Sequence, residues 1–337
     1  MNNINKPKVS IIIPTYNVES FLLQCLTSIA EQTYKNIECI IIIDGATDQS
    51  FDIAKSFCEK DNRFSVYWQE NAGSGPARNN GIKRSSGEFV MFVDPDDWCR
   101  PDYVENMLRL QQEGNYDMVI TGATKVFFNN GEIKKSLVRR YTNARYIGYE
   151  QLHKNYASLF SEGYVHGPHC KIFKSSLIKD YNIVFPDLRR SQDIVFNYRY
   201  YDYAQSVLIS DYVGYMYRVI KKERTKRLKP DYYITIGIIY NDLIALHKKW
   251  GTHLNKRVIS TTIFGFIYAL LESNILKGLS INYIVNDNVI KEIILNARPQ
   301  KIHLSIVRFL LLNNHYKISV MIIKLILNIK SVSYTHL

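Results

Sequence analysis

Short apolar runs alternate with longer amphipathic segments over the N-terminal part of the chain. Residues 9–13, 38–43, 64–68 and 89–93 have the length and the apolar content of buried strands. Strands that alternate with helices predict an α/β fold, with a mainly parallel central sheet flanked by helices on both faces. The intervening segments place apolar side chains at helical spacing, which predicts helices over 18–32, from Thr47 or Asp48 onward, and over 76–84.

Beyond residue 100 the pattern becomes mixed and then helical. The predicted elements are a helix over 102–112, a strand over 117–121, a hairpin at Asn129-Asn130-Gly131, a helix over 150–160, strands over 170–174 and 207–217, and helices over 232–250, 256–277 and 289–297. A strongly basic linker over 221–230 precedes the last helices. We therefore predict a domain over 1–220 and a basic, mostly helical C-terminal region over 221–337.

Polar clusters follow the predicted strands. They are Pro14-Thr15-Tyr16-Asn17, Asp44-Gly45-Ala46-Thr47-Asp48, the segment 71–81, and Asp94-Pro95-Asp96-Asp97. Open α/β sheets bind ligands beyond the carboxyl ends of their strands, so we expect these clusters to line one site. Mg²⁺ and Mn²⁺ prefer oxygen ligands and leave positions for substrate phosphates, so the acidic cluster indicates a divalent metal beside a phosphate. The alternative interpretation is a simple acidic turn.

These motifs carry a family resemblance. The order P-T-Y-N, D-G-x-T-D, G-x-x-x-A-R-N-x-G and D-x-D-D resembles the family 2 glycosyltransferases, which are inverting enzymes with the GT-A fold, and it covers about residues 8–220. A further segment, 191–197, is similar to the family's E-D-x-x-F segment. The resemblance implies a GT-A catalytic domain followed by a helical C-terminal region, and a hexosyl- or N-acetylhexosaminyl-transferase activity.

The resemblance also implies roles in binding the nucleotide-sugar donor. Pro14 and Tyr16 would shape the nucleoside pocket. The carboxylate of Asp44 would accept a hydrogen bond from uracil, or would instead cap a helix. The family commonly has a second acid just before this position, where this chain has Ile43, and that difference bears on the selectivity for uracil.

The diphosphate and the metal would lie next to the base. Asn71 and Arg78 would bind the donor near the diphosphate, because Arg offers a fixed fork of donors; Arg78 could equally brace Asp44 or Asp94. Asp94 would hold the ribose or a metal-bound water, and Asp96 would coordinate Mn²⁺ or Mg²⁺ directly.

Asp193 is the predicted catalytic base, and its alternative role is the N-cap of a helix over 194–201. Gln192 stands where the family commonly has Glu. Asp97 would support the metal ligands from behind.

Other polar residues near these motifs have weaker assignments. His166, His169 and Cys170 have no clear fourth partner, so a zinc site is disfavoured and a place in the acceptor site or the core is preferred. Lys171 matches a basic position of the family without a defined role. Three basic residues after the last strand would reach the diphosphate from a loop, or would form a solvated basic run: Arg218, Lys221 and Arg224.

Charge is concentrated at the C-terminal end. The sequence of 337 residues has 46% hydrophobic and 22% charged residues, as in ordinary globular proteins, with a formal net charge of +12. Residues 1–220 contain 25 basic and 25 acidic side chains, whereas residues 221–337 contain 18 and 6. Apolar stretches over 302–312 and 318–329 favour peripheral contact with an anionic membrane over contact with nucleic acid, and both are too short and too interrupted to span a bilayer. The alternative is a helical region that packs on the catalytic domain.

The compartment follows from the cysteines and the N-terminus. Five cysteines are scattered without metal-type spacing, which favours reduced thiols in the cytoplasm. The apolar run after the polar residues 1–8 is too short for a signal peptide. We expect a cytoplasmic protein, with attachment at the inner face of the cell membrane.

The leading hypothesis is a metal-dependent inverting glycosyltransferase. It would move a sugar, from a UDP-sugar, to a hydroxyl of a glycan or lipid-linked glycan acceptor during surface-polysaccharide synthesis. Two alternatives remain open. A degenerate glycosyltransferase-like scaffold would bind nucleotide or membrane, and Ile43, Ala46 and Gln192 are compatible with it. A sugar nucleotidyltransferase would need a Gly-rich phosphate loop with a Lys near the first strand, which is not found at residues 14–17.

Overall fold

The computed structural model describes residues 6–129, 131–220, 228–252 and 256–335. The chain divides into two compact units, the first from Met1–His153 and Val165–Lys221 and the second from Lys154–Tyr164 and Lys222–Leu337. The sequence did not predict that residues 154–164 belong with the C-terminal helices. The catalytic and membrane roles assigned to the two regions stay predictions.

The first unit is built on one sheet. Its strands are β1 (Val9–Thr15), β2 (Ile37–Asp44), β3 (Phe64–Gln69), β4 (Phe89–Phe92), β5 (Trp98–Cys99), β6 (Met118–Asn129), β7 (Glu132–Arg139), β8 (Ala144–Ile147), β9 (Lys171–Lys174) and β10 (Ser206–Ile220). Among the described residues, the strand order is β3-β2-β1-β4-β9-β6-β10-β5, with β7 on β6 and β8 on β10. The pairs among β1 to β4, and the pair β6–β10, are parallel. The pairings of β5, β7, β8 and β9 are antiparallel.

Helices cover both faces of the parallel part, as the sequence pattern predicts. The helices of this unit are α1 (Glu19–Ala30), α2 (Ser50–Cys58), α3 (Ser74–Arg84), α4 (Tyr103–Gln112), α6 (Ser175–Asp180) and α7 (Gln192–Tyr201), while α5 (Tyr149–Ser161) extends into the second unit. Ile11 and Ile13 of β1 pack in one cluster with Leu22 of α1, whereas Ile40 and Ile42 of β2 pack with helix α3. A strand buried on both faces has no polar alternation, which explains the Ile runs.

Among the elements that differ from the sequence prediction, β6 and α2 have a clear physical reason. Strand β6 continues to Asn129 because it pairs with β7 in the predicted hairpin. Helix α2 begins at Ser50, after both predicted caps, although the Asp48 carboxylate accepts hydrogen bonds from the backbone N–H of Ser50 (3.0 Å) and of Glu19 (3.0 Å). Asp48 therefore fixes the starts of α1 and α2 together.

The second unit is helical, as predicted. It contains α8 (Tyr232–Lys249), α9 (Lys256–Leu276), α10 (Asn282–Val285), α11 (Asn288–Asn296), α12 (Ile302–Leu312) and α13 (Tyr316–Thr335). In the part of the chain that the structure describes, only Lys256–Leu276 is long and apolar enough to cross a membrane, and 67% of its most apolar window is buried. That degree of burial is typical of a central core helix, and α9 packs against α8, α11 and α13. Residues 154–164 join this unit through Tyr156, whose ring lies 5.4 Å from that of Trp250.

Close packing of α3 on β1 yields a test of the fold. A Cβ added at Gly81 would lie 2.4 Å from Cγ2 of Ile12, whereas one added at Gly265 in α9 would meet no atom within 4 Å. We expect Gly81→Ala to lower the free energy of unfolding by about 1–3 kcal/mol through overpacking. The matched control Gly265→Ala should raise it by about 0.5–1 kcal/mol, because alanine favours a helix interior. Urea denaturation measures both, and equal effects would contradict the proposed packing.

Candidate active site

The polar clusters meet at one edge of the sheet. Strands β1 and β2 are parallel and in register, with Thr15 opposite Ile43, and β4 pairs with β1 so that Phe92 lies opposite Ile12. Their carboxyl ends therefore deliver the first, second and fourth motifs to the same place. The first two loops are joined directly, since the backbone N–H of Thr47 donates to Oδ1 of Asn17 (2.8 Å). Pro14 is buried in β1, and the ring of Tyr16 is exposed.

Asp44 is buried at the end of β2 and holds the neighbouring loop. Its carboxylate accepts hydrogen bonds from Nε2 of Gln69 (2.8 Å) and from the backbone N–H groups of Ala72 (2.9 Å) and Gly73 (2.8 Å). Nδ2 of Asn71 donates to the Asp44 carbonyl (3.0 Å). A carboxylate has about four lone-pair sites, so these three bonds leave about one for a ligand. Asp44 and Asn71 thus shape the loop that leads into α3, and donor binding by them stays a prediction.

Gly45 makes this approach of backbones possible. Its φ is +66°, and a Cβ there would lie 2.7 Å from the Asn71 nitrogen. Only glycine combines that left-handed conformation with so close a neighbour.

Arg78 is paired with the acidic loop. Its guanidinium donates to Oδ1 of Asp94 (2.8 Å), the two side chains are 8% and 24% exposed, and it lies 5.4 Å from the Phe185 ring centroid. The bond to Asp94 is the one that a bracing role requires, and the role of Arg78 in donor binding stays a prediction. Nε of Arg78 is buried and has no hydrogen-bond partner among the described residues. The pair still leaves a positive group beside a partly exposed carboxylate, which suits a phosphate ligand.

Asp97 lies behind the other acids and is buried. Its carboxylate accepts hydrogen bonds from the Tyr215 hydroxyl (2.8 Å) and from the backbone N–H of Arg218 (2.7 Å). Burial, and then the negative charges of Asp94 and Asp96, raise the pKa of Asp97 to about 8. The Tyr215 hydroxyl also accepts from the Asp94 N–H (3.1 Å), so one tyrosine ties both ends of the loop.

The donor set at this loop fits a hard divalent cation. Asp94 and Asp96 are both partly exposed, and Asp97 is turned inward. No three His, Cys, Asp or Glu side chains among the described residues form a group that could hold a metal ion. Mg²⁺ is usually held by one or two carboxylates together with substrate phosphates, so two carboxylates suffice where a diphosphate supplies the remaining oxygens.

Arg218 has neither of its predicted roles. It lies within β10, is 8% exposed, and its guanidinium carbon is 4.5–4.8 Å from the ring centroids of Phe21, Trp98 and Phe128. Its Nε donates to the Asp96 carbonyl (2.7 Å), and its Nη2 donates to Oε1 of Gln24. It therefore acts as a buried brace of the acidic loop. Lys221 and Arg224 lie outside the described residues.

Asp193 lies in the first turn of α7. The N-cap of this helix is Ser191, so the alternative role of Asp193 as the cap is wrong. Burial raises its pKa, the charge of Arg78 lowers it, and the charge of Asp94 raises it. The predicted base is thus within electrostatic reach of the Arg78–Asp94 pair, although a hundred residues of chain separate it from them.

The residues around Asp193 hold α7 against the site. Nε2 of Gln192 donates to Oγ of Ser74 (2.6 Å) at the start of α3. The Gly167 carbonyl accepts from Lys171 and from Nδ2 of Asn197 (3.1 Å). Burial lowers the pKa of Lys171 to about 8, and the negative charge of Asp193 opposes that shift.

His169 faces the acidic loop from the other side. Its Nδ1 lies 3.7 Å from Oδ2 of Asp94, and its ring stacks on Tyr215 with centroids 5.4 Å apart. Desolvation lowers the pKa of His169 to about 4, so the ring is neutral near pH 7. The place of His169 in the acceptor site or the core stays a prediction.

Sequence reasoning missed Tyr215, Gln69 and Asn197. Each acts through a hydrogen bond to a residue at least 25 positions away in the chain, and only Asn197 lies in one of the motif segments, 191–197. The only signal in the sequence concerned Tyr215, which is one of several tyrosines in strand β10.

Comparison with known proteins decides the family. The model of the glycosyl transferase family 2 matches residues 10–181, which is more than half of the chain. This chain belongs to glycosyl transferase family 2. The prediction made from the motifs is confirmed.

Relatives and solved structures agree with this membership. EpsH of Bacillus subtilis (strain 168) is 36% identical over 217 residues, which cover 63% of this chain and 61% of EpsH. Glycosyltransferase GlyA of Streptococcus pneumoniae serotype 4 is 48% identical over 113 residues, 34% of this chain and 16% of GlyA. The match thus spans less than two thirds of these relatives.

The fold is confirmed by structural similarity. TarS 1–349 of S. aureus in complex with UDP superposes with a TM-score of 0.64 at 20% identity, covering 94% of this chain and 90% of that chain. The complex of TarS 1–349 with UDP-GlcNAc gives 0.65 with the same coverage. The likeness supports the predicted GT-A fold with its C-terminal helical region.

The free energy of unfolding of an Arg218 variant tests whether this residue stabilises the acidic loop. Arg218→Met keeps most of the aromatic contact but removes a charge-assisted hydrogen bond and the cation, so we expect unfolding to become easier by about 2–4 kcal/mol. The control is Arg84→Met, because Arg84 stacks 3.9 Å over Tyr67 on an exposed surface. That change should cost less than about 1 kcal/mol. Similar losses in urea denaturation would argue against a buried brace.

Proposed function

We propose that this chain is an inverting, metal-dependent glycosyltransferase that moves a sugar from a UDP-sugar to an acceptor hydroxyl. The observation that carries the proposal is the convergence of Asp193 with Arg78 and Asp94. Arg78 bonds Asp94 at 2.8 Å, and the charges of both act on Asp193. A proton acceptor beside a phosphate-binding edge is what glycosyl transfer from a nucleoside diphosphate needs.

A UDP-sugar is the proposed donor. The S. aureus TarS structures of similar fold contain UDP and UDP-GlcNAc, which supports a uridine nucleotide and a hexosyl or N-acetylhexosaminyl group. Pro14 and the exposed Tyr16 would contact the nucleoside, and the free lone pair of Asp44 would accept from uracil. Asn71, Arg78 and Asp94 would place the diphosphate.

Asp96 and Asp94 would hold Mn²⁺ or Mg²⁺ together with the diphosphate oxygens. When bound, the ion stabilises the negative charge of the departing nucleoside diphosphate as a Lewis acid. Arg78 adds a fixed positive charge beside Asp94 at the same place. Arg218 and Tyr215 keep the loop of these acids in position.

Asp193 would act as the base. Its carboxylate takes the proton of the acceptor hydroxyl while that oxygen attacks the anomeric carbon. The bond from that carbon to the diphosphate oxygen breaks on the opposite face, so the configuration inverts. Only one protein carboxylate is needed, in contrast to the pair used in glycoside hydrolysis.

The acceptor is proposed to be a glycan or lipid-linked glycan of surface-polysaccharide synthesis, made at the cytoplasmic face of the membrane. This rests on the family and on the basic, apolar C-terminal region. No observation favours the scaffold or the nucleotidyltransferase over this function, and the experiments below separate all three.

Removal of the proposed base should abolish sugar transfer but leave UDP binding unchanged. We expect Asp193→Asn to bind UDP as the wild type does and to lower kcat by about 10²–10⁴-fold, because general base catalysis is lost. The matched control is the exposed Asp180→Asn in α6, which should leave kcat unchanged. Calorimetric titration with UDP and transfer rates measure the two effects, and unchanged transfer in Asp193→Asn would identify a different base.

The pH profile should report the environment of Asp193. Burial raises its pKa and the charge of Asp94 adds to this, whereas the charge of Arg78 and the hydrogen bond from the backbone N–H of Ile194 oppose it, so the carboxyl is protonated over a wider acidic range than usual. Since only the ionised form accepts a proton, kcat should fall as pH decreases through a midpoint above about 4, the ordinary value for Asp. A profile that is flat across this range would contradict the assignment.

Replacement of Asp96 should abolish the stimulation of UDP release by a divalent metal. We expect Asp96→Asn to lose Mn²⁺-stimulated UDP release by at least about tenfold, since a neutral amide binds hard cations poorly. The exposed Asp52→Asn in α2 is the control. UDP and pyrophosphate are measured together: pyrophosphate as product would indicate the nucleotidyltransferase, and absence of any turnover with a panel of sugar nucleotides would indicate the scaffold.

A further inference from the structure

Helices α12 and α13 each expose a row of large apolar side chains. On α12 the exposed row is Ile302, Ile306, Phe309 and Leu312, of which Ile302 and Phe309 are 78% and 61% exposed. On α13 the row is Ile318, Met321 and Leu325, with Met321 at 68%. Residues spaced by three or four lie on one side of a helix, so each row is a continuous stripe. We call the seven side chains the apolar face.

The apolar face is distinct from the side of each helix that packs in the second unit. Val307 and Leu311 of α12 and Ile323 of α13 are buried, and they lie on other sides of their helices than the exposed rows. The two helices pack against each other, and α13 also packs on α9. These helices are therefore apolar both toward the core and toward solvent, whereas a helix on a protein surface normally has a polar outer side.

The charged side chains of α12 and α13 are all basic. No Asp or Glu follows Glu292 in the sequence, while six basic residues do: Arg298, Lys301, Arg308, Lys317, Lys324 and Lys330. Lys301, Lys317 and Lys324 are exposed beside the apolar rows. An apolar stripe with a basic border and no acid matches the interface of a bilayer that contains anionic lipid.

We propose that the apolar face of α12 and α13 docks into the surface of an anionic lipid bilayer. Both helices would lie along the interface rather than cross it, since α12 has 11 residues and Lys317 and Lys324 interrupt α13. A second copy of the chain fits less well, because a symmetric contact would bring the same basic border against itself. The inference stands independently of the proposed reaction.

Vesicle binding of the full chain tests the proposal. The wild type should sediment with phosphatidylcholine vesicles that contain phosphatidylglycerol, and much less with pure phosphatidylcholine. The triple variant Ile302→Ser, Phe309→Ser, Met321→Ser should bind at least about tenfold more weakly, because interfacial affinity scales with buried apolar area. The matched control changes three exposed apolar residues of β7: Ile133→Ser, Leu137→Ser and Val138→Ser. It should bind as the wild type does.

Charge provides a second variant that leaves the helices intact. Lys301→Gln, Lys317→Gln, Lys324→Gln should lose at least about tenfold in affinity for the anionic vesicles and show a weaker dependence on salt. Circular dichroism and thermal unfolding report the fold of every variant. Failure of the wild type to bind anionic vesicles, or equal weakening by the β7 control, would overturn the proposal. A wild-type dimer that the α12–α13 serine variant dissociates, without vesicle binding, would assign the face to a self-contact instead.

Discussion

The parallel pairing of β1 with both β2 and β4 is the constraint on which the site depends. Because these strands run in the same direction and in register, the polar segments that follow them lie at one edge of the sheet. The apolar content that makes the strands stable is therefore also what assembles the chemistry. Gly81 and Gly45 serve the same end, since one lets α3 approach β1 and the other lets the loops after β2 and β3 touch.

The carboxylates clustered at that edge repel one another, and two buried arginines offset this repulsion. Arg78 comes from α3 and bonds Asp94, while Arg218 comes from β10 and bonds the backbone of Asp96. Asp97 lies deeper, and its raised pKa reflects burial together with its two acidic neighbours. Asp94 and Asp96 stay partly exposed, and they are the two acids for which we propose cation binding.

The second unit poses a different physical problem. Its core is formed by long apolar helices such as α9, yet α12 and α13 leave a further apolar surface exposed beside exposed lysines. Exposed apolar patches of this kind usually have an occupant. Strand β7 also exposes apolar side chains, but it carries both an acidic residue, Glu132, and basic residues, Lys134, Lys135 and Arg139. The apolar face therefore has a distinct composition.

The sequence by itself determined the elements and the motifs, because hydrophobic periodicity and turn residues act locally. The strands β1 to β4, the hairpin after β6, the C-terminal helices and residues such as Asp44, Asp94 and Asp193 follow from it. Only the tertiary structure decided which groups face one another. Arg218 donates a hydrogen bond to a loop more than a hundred residues away in the chain, and Tyr215 joins Asp94 to Asp97. The carboxylate of Asp44 accepts three hydrogen bonds from residues 69–73. Such contacts depend on strand order, register and burial, which are set by long-range packing and leave no pattern in the neighbouring sequence.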